Sequence, residues 1–101
     1  MRSVDLALFA DVLAGEAASL AARAERARAA LRQAAIERAA RRDVSPAAID
    51  RLTALGILAP RDERGIHEEL AELTRSLDAL CELQAWVETR LAEAEDVVMP
   101  A

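Results

Sequence analysis

The chain has 101 residues, which allows one domain, and a formal net charge of −5 at pH 7. It contains one Phe, one Trp, no Tyr and three glycines, a composition typical of long helices and unlike that of a sheet protein. A single cysteine excludes an internal disulfide, and no apolar run approaches the length of a membrane span. We expect a cytoplasmic protein without a signal peptide, because Asp5 and Asp11 interrupt the apolar start.

The first predicted element is a long helix over residues 3–43, a stretch with one glycine and no proline. Its apolar residues recur in alternating steps of four and three, which is a heptad seam. Alanine occupies many seam positions, so a partner helix can approach closely. The seam consists of Leu6, Ala10, Leu13, Ala17, Leu20, Ala24, Ala27, Leu31 and Ala34, and the same spacing then reaches Arg38.

The second half of this helix is rich in arginine. Residues 21–42 hold seven arginines and two acids, a net charge of +5. Such a strip is typical of a surface that binds nucleic-acid phosphates, although the same arginines could instead pair with acids elsewhere in the chain. The candidate nucleic-acid residues are Arg23, Arg26, Arg28, Arg32, Arg38, Arg41 and Arg42.

A short helix over residues 46–55 is predicted in the connector. Ser45 and Pro46 have the residue types of an N-cap and a first helical position. Gly56 follows as the residue that ends the helix, with Ile57 placed for the accompanying hydrophobic contact.

The connector also has a second interpretation. Its sequence RLTALGILAPRDERG is similar to the end of a recognition helix and the wing turn of winged helix-turn-helix regulators. That family requires a separate preceding helix joined by a tight turn, and strands after the wing. Here a heptad helix precedes the segment and helical spacing follows it, so the sequence favours a plain connector.

The third element is a long helix over residues 62–96 with a regular seam. Residues 63–96 hold ten acids and three arginines, a net charge of −7 that is opposite to the arginine strip. More than four heptads of this kind favour coiled-coil packing. The seam consists of Ile66, Leu70, Leu73, Leu77, Leu80, Gln84, Val87, Leu91 and Ala94.

These elements predict an all-α fold: one domain over residues 1–101, an antiparallel coiled-coil hairpin of two long helices with a short helix in the connector. Opposite charges on the two long helices favour this pairing. Facing residue numbers should sum to about 105 if the connector closes symmetrically. The expected ion pairs are Arg38 with Glu68 or Glu69, Arg28 with Asp78, and Arg23 with Glu82.

Several apolar residues lie off the two seams and predict an interface with another copy or a partner. The alternative is that Leu83 and Trp86 only broaden the seam. Gln84 could fix the register of the pairing, or could simply reach water near the open end. The candidate interface residues are Val4, Leu8, Val12, Leu83, Trp86, Val97 and Val98.

Residues typical of catalysis are scarce. His67 is the only histidine and lies beside acids, which indicates a solvated helix start, while Cys81 is expected to be a small packing residue. No glycine-rich phosphate loop and no Cys/His cluster is present. We therefore expect no enzyme activity, no cofactor, no metal and no small-molecule substrate.

The layout of residues 3–96, with the arginine-bearing segment ERARAALRQAAIERAARR, resembles the oligomerisation core of small terminase subunits, the DNA-packaging factors of tailed phages and gene transfer agents. The resemblance implies a homo-oligomer that presents DNA to a large motor subunit. Many members add an N-terminal helix-turn-helix domain that this chain lacks, so only weak, non-specific DNA binding is implied. The alternative is an adaptor, chaperone or inhibitor that captures a partner helix.

Overall fold

A computed structural model describes residues 1–98, with side chains described as far as Ala94. Across this range the protein is all-helical and consistent with a helical hairpin. The helices are α1 (Ser3–Asp43), α2 (Pro46–Ala54) and α3 (Glu63–Val98). Helix α2 ends one residue earlier than predicted. Helix α3 begins one residue later and continues two residues further.

The chain forms two compact units. The first, called here the terminal unit, combines Met1–Ala24 with the part of α3 that begins at Glu72. The second, called the connector unit, consists of Glu25–Ala71 and therefore contains the end of α1, all of α2 and the start of α3.

The predicted seams form the core of the terminal unit. Ala24 is fully buried and Val87 is only 1% exposed. The remaining seam residues of this unit are buried or half-buried: Leu6, Ala10, Leu13, Ala17, Leu20, Leu73, Leu77, Leu80, Gln84, Leu91 and Ala94. Complete burial of one Val or Leu side chain contributes about 1.5–3 kcal/mol, so this strip is the main source of stability in the unit.

In the connector unit the predicted seam fails at one position. Ala27 and Ala34 are buried as predicted, but Arg38 is exposed and Glu37 is buried in its place. The step from Ala34 to the next buried residue is therefore three and not four, and it places Glu37 where it meets Arg61.

Local signals in the sequence account for the ends of α2. The Ser45 hydroxyl accepts a hydrogen bond from the Ala48 amide at 3.3 Å. Gly56 has a φ of 75°, and its N–H donates to the Thr53 carbonyl, while the Ile57 N–H donates to the Leu52 carbonyl. This pair of bonds is a Schellman motif.

The local hydrophobic contact of Ile57 stays a prediction, but its side chain is not part of the core. Ile57 is 63% exposed and Leu58, the next residue, is buried. The positive φ of Gly56 reverses the chain direction, and the first side chain to reach the core is one residue further on.

The start of α3 depends on an aspartate and a glycine. The Asp62 carboxylate accepts a hydrogen bond from the Gly65 amide at 3.0 Å. A Cβ atom at Gly65 would collide with this carboxylate. A side chain at this position would therefore displace the cap that α3 uses to begin.

Candidate interaction surfaces

Two of the candidate nucleic-acid arginines pair within their own helix. The Arg32 guanidinium lies 2.9 Å from Glu25, and Arg28 lies 3.9 Å from the same carboxylate. The hydrogen bond from Arg32 lowers the pKa of Glu25 below its ordinary value. The predicted pairing of Arg28 with Asp78 is therefore wrong, because a carboxylate within two turns of the same helix is nearer.

Arg38 does form an ion pair with α3, but with Glu63 and not with Glu68 or Glu69. Glu68 instead accepts from Arg64, one turn earlier in α3, at 3.3 Å. The residue numbers that meet in the connector unit thus sum to about 100, where a symmetric connector predicted 105. At this end of the connector unit, α1 runs on past the first residue of α3. The prediction of 105 requires the two helices to end level with each other.

The best-formed ion pair joins Glu37 to Arg61. Arg61 donates from Nε to Oε2 at 3.0 Å and from Nη2 to Oε1 at 3.3 Å. The Glu37 side chain is only 6% exposed. Hydrogen bonding from Arg61 lowers the pKa of Glu37, and the same bond raises the pKa of Arg61. A strict heptad repeat does not predict this pair, whereas a seam step of three after Ala34 places Glu37 inward.

The Glu37–Arg61 pair predicts a dependence of stability on pH. Folding lowers the pKa of Glu37, so the pair contributes its full stability above the ordinary value of 4.5 and loses it as pH falls through the lower folded value. We expect Glu37→Gln to lower the melting temperature at neutral pH, with the difference from the unmodified protein shrinking below pH 4.5. Thermal melts followed by circular dichroism between about pH 7 and pH 3 measure this difference.

Glu25→Gln is the matched control for that measurement. Glu25 also has a lowered pKa, but its side chain is 61% exposed. Solvent screens an exposed pair, so its loss should change the melting temperature less than the loss of Glu37. Equal effects of the two substitutions at neutral pH would contradict the structural role given to Glu37.

Three candidate arginines have no partner among the residues that the structure describes: Arg23, Arg26 and Arg42. All three are exposed. Arg41 donates only to the Ala59 carbonyl, at 3.4 Å. The predicted pairing of Arg23 with Glu82 is not formed. The free cationic surface of α1 is therefore smaller than the sequence suggested.

An apolar stripe lies on the first turns of α1. Val4, Leu8 and Val12 are 56%, 60% and 59% exposed. Each is two residues from a seam position, Leu6 or Ala10, and two residues correspond to about 200° around a helix. The stripe therefore faces away from the buried seam, in a part of the chain that is regular helix.

Helix α3 contributes a smaller apolar area. Leu83 is 38% exposed and Trp86 is 42% exposed, so both are partly covered. The Arg90 guanidinium lies 5.4 Å from the centroid of the Trp86 ring, a cation–π distance. The side chains of Val97 and Val98, which were also predicted at this interface, lie outside the described residues.

The remaining polar candidates have different environments. Gln84 is half-buried and lines a shallow groove with Leu13, Ala14 and Val87. Cys81 is exposed, so its predicted role as a packing residue is wrong. His67 is exposed, as expected of a solvated helix start.

The described side chains include no group of three or more His, Cys, Asp or Glu residues placed to hold a metal ion. None of the helices in residues 1–98 combines the length and apolarity needed to cross a bilayer.

Among the predicted interaction residues, the surfaces that remain after intramolecular pairing are the apolar stripe of α1, the Leu83–Trp86 area and three unpaired arginines. The first two belong to the terminal unit. Compared with protein-family models, curated proteins and solved structures, the chain matches none.

Proposed function

We propose that the protein is a non-enzymatic, self-associating helical assembly protein that acts in the cytoplasm. One observation carries the proposal. Val4, Leu8 and Val12 are each more than half exposed on the side of α1 that faces away from the seam. Isolated exposed apolar residues are ordinary, but a continuous apolar stripe along a regular helix is typical of an interface.

We also propose that the two long helices pair antiparallel in each unit, as in a coiled-coil hairpin. In the connector unit, Arg38 meets Glu63 while Glu37 meets Arg61, so higher numbers on α1 meet lower numbers on α3. In the terminal unit, residues 1–24 group with the later part of α3. Both facts support antiparallel pairing.

Self-association through the stripe predicts that Leu8→Glu lowers the oligomer mass and leaves helicity unchanged. A glutamate on this face would bring an uncompensated charge into the contact between copies. Sedimentation velocity gives the mass and far-ultraviolet circular dichroism gives the helicity.

Ile36→Glu is the control, because Ile36 lies on the same helix and is 63% exposed, about as much as Leu8 at 60%. It should leave the mass of the oligomer unchanged. If both variants lower the mass equally, or if neither does, the stripe is not the interface.

We propose weak, non-specific DNA binding as a second function, and the unpaired Arg23, Arg26 and Arg42 support it. Each phosphate contact releases condensed counterions, so two to three contacts per chain predict a slope of about −2 to −3 when log affinity is plotted against log salt. Fluorescence anisotropy with a duplex at several salt concentrations measures this slope.

The contribution of the unpaired arginines to DNA binding can be separated from that of the paired ones. Arg26→Gln with Arg42→Gln should abolish most of the salt-dependent binding. Arg28→Gln with Arg32→Gln should reduce it less, because both guanidinium groups already contact Glu25. Absence of DNA binding at every salt concentration would contradict the proposed nucleic-acid function.

The resemblance to small terminase subunits suggests one specific form of this proposal, a DNA-packaging subunit that acts with a large motor subunit. The unpaired arginines and the apolar stripe support it. The alternative is an adaptor, chaperone or inhibitor that captures a partner helix, and the half-exposed Leu83 and Trp86 support that form. A higher multimer favours packaging, whereas a monomer or dimer favours the adaptor.

A further inference from the structure

The side of α1 that carries the apolar stripe continues as a row of small residues. Steps of three and four lead from Val12 to Gly15, Ser19 and Ala22, all of which are exposed. This row, called here the outer face, consists of Val4, Leu8, Val12, Gly15, Ser19 and Ala22. The first three residues of this face have large apolar side chains, and the last three are small residues.

Charge divides along the outer face in the same way. Asp5 and Asp11 accompany the first half, Glu16 lies beside Gly15 at the midpoint, and Arg23 follows the last small residue. Arg23 has no ion-pair partner among the described residues. Asp5 has only an exposed pair with Arg2 in the adjacent turn, at 3.2 Å. The two ends of this face are thus complementary to each other in size and in charge.

We propose that a second copy of the chain packs antiparallel on the outer face, with the two α1 helices crossing at Gly15. This inference rests on the proposed self-association and specifies its partner and its geometry. A two-fold axis at Gly15 places Leu8 of each copy opposite Ala22 of the other. It also places Asp5 of each copy beside Arg23 of the other, on the same edge of the contact.

A parallel arrangement of the same two helices is disfavoured by the same residues. It would separate Asp5 of one copy from Arg23 of the other by 18 residues, about 27 Å along the helix, so this ion pair could not form. It would also place large residues against large ones and small against small, which leaves a gap at one end. Only the antiparallel arrangement matches size and charge together.

Gly15 provides an independent reason for this crossing point. Glycine in a helix interior is destabilising, and here a Cβ atom would meet nothing within 4 Å, so packing within one chain does not require glycine. A residue without a side chain lets two helix backbones approach closely, as a second copy crossing at this position would need.

Site-specific cross-linking tests the geometry. In a Cys81→Ser background, Gly15→Cys should form a disulfide-linked dimer under mild oxidation, because a two-fold axis brings residue 15 of both copies together. Val4→Cys should not link, since the two copies of that residue would be about 30 Å apart at a rise of about 1.5 Å per residue. A disulfide needs Cα atoms within about 7 Å.

Charge reversal gives a second measurement that does not depend on oxidation. Arg23→Asp should weaken dimerisation roughly tenfold, because two symmetric pairs are lost, and adding Asp5→Arg should restore it. Sedimentation equilibrium measures the dissociation constants, and circular dichroism checks that each variant remains helical.

The outcomes separate this geometry from self-association itself. An oligomer in which Gly15→Cys fails to link and charge reversal fails to restore affinity overturns the antiparallel crossing but keeps the proposed function. Linking through Val4→Cys, with or without linking through Gly15→Cys, shows a parallel contact and also overturns it. A monomeric protein overturns both proposals.

Discussion

Val87→Asp is expected to unfold the terminal unit. Val87 is 1% exposed, and the nearest basic residue on the helix, Arg90, is already paired with Glu93 at 3.2 Å. Burial of a charge without a partner costs more than about 4 kcal/mol, and the total stability of a small domain is about 5–15 kcal/mol. Far-ultraviolet circular dichroism should show a large loss of helicity at 25 °C.

Ala85→Asp is the control for this substitution. It introduces the same carboxylate into the same helix two residues earlier, at an exposed position. The helix propensity of aspartate is lower than that of alanine, so a decrease of about 0.5–1 kcal/mol is expected. If Val87→Asp cost no more than this, Val87 would not lie in the core and the seam of α3 would be wrongly placed.

Ala24→Leu is expected to destabilise the protein by about 1–3 kcal/mol, even though leucine is a good helix former. Ala24 is fully buried, so the larger side chain has no free volume to enter and must push the helices apart. For a chain of about 100 residues, each 1 kcal/mol lowers the melting temperature by roughly 4–8 °C. A thermal melt therefore resolves the effect.

Ala21→Leu is the control that separates the effect of packing in the core from the effect of helix propensity. Ala21 lies one turn earlier on an exposed part of α1, so Ala21→Leu should change stability by less than about 0.5 kcal/mol. A stable Ala24→Leu variant with an unchanged melting temperature would show that small seam residues are not required for close approach of a partner helix.

The sequence predicts the helices and most of the core because both depend on local pattern. Heptad spacing identifies the buried Leu13, Ala24 and Val87, and the Ser-Pro and Gly signals identify the ends of α2. The burial of Glu37 in place of Arg38 could not be read from a strict heptad repeat, because that repeat takes no account of the ion pair that Glu37 forms with Arg61 in the connector.

The ion pairs were less predictable than the core. The pairing of Arg38 with Glu63 depends on how the connector folds, and a symmetric connector gives the wrong partner. The pairs of Arg28 and Arg32 with Glu25 were visible in the sequence as neighbours on one helix, but complementary net charge on α3 favoured a different choice. Net charge indicates which helices attract each other and does not identify individual pairs.

Binding of a second copy on the outer face of α1 makes the mass of the protein depend on its concentration. Multi-angle light scattering of the unmodified protein over a wide concentration range measures this dependence. We expect a mass that rises with concentration from the 10.9 kDa of one chain to at least twice that value. A mass of 10.9 kDa at every concentration would contradict this binding.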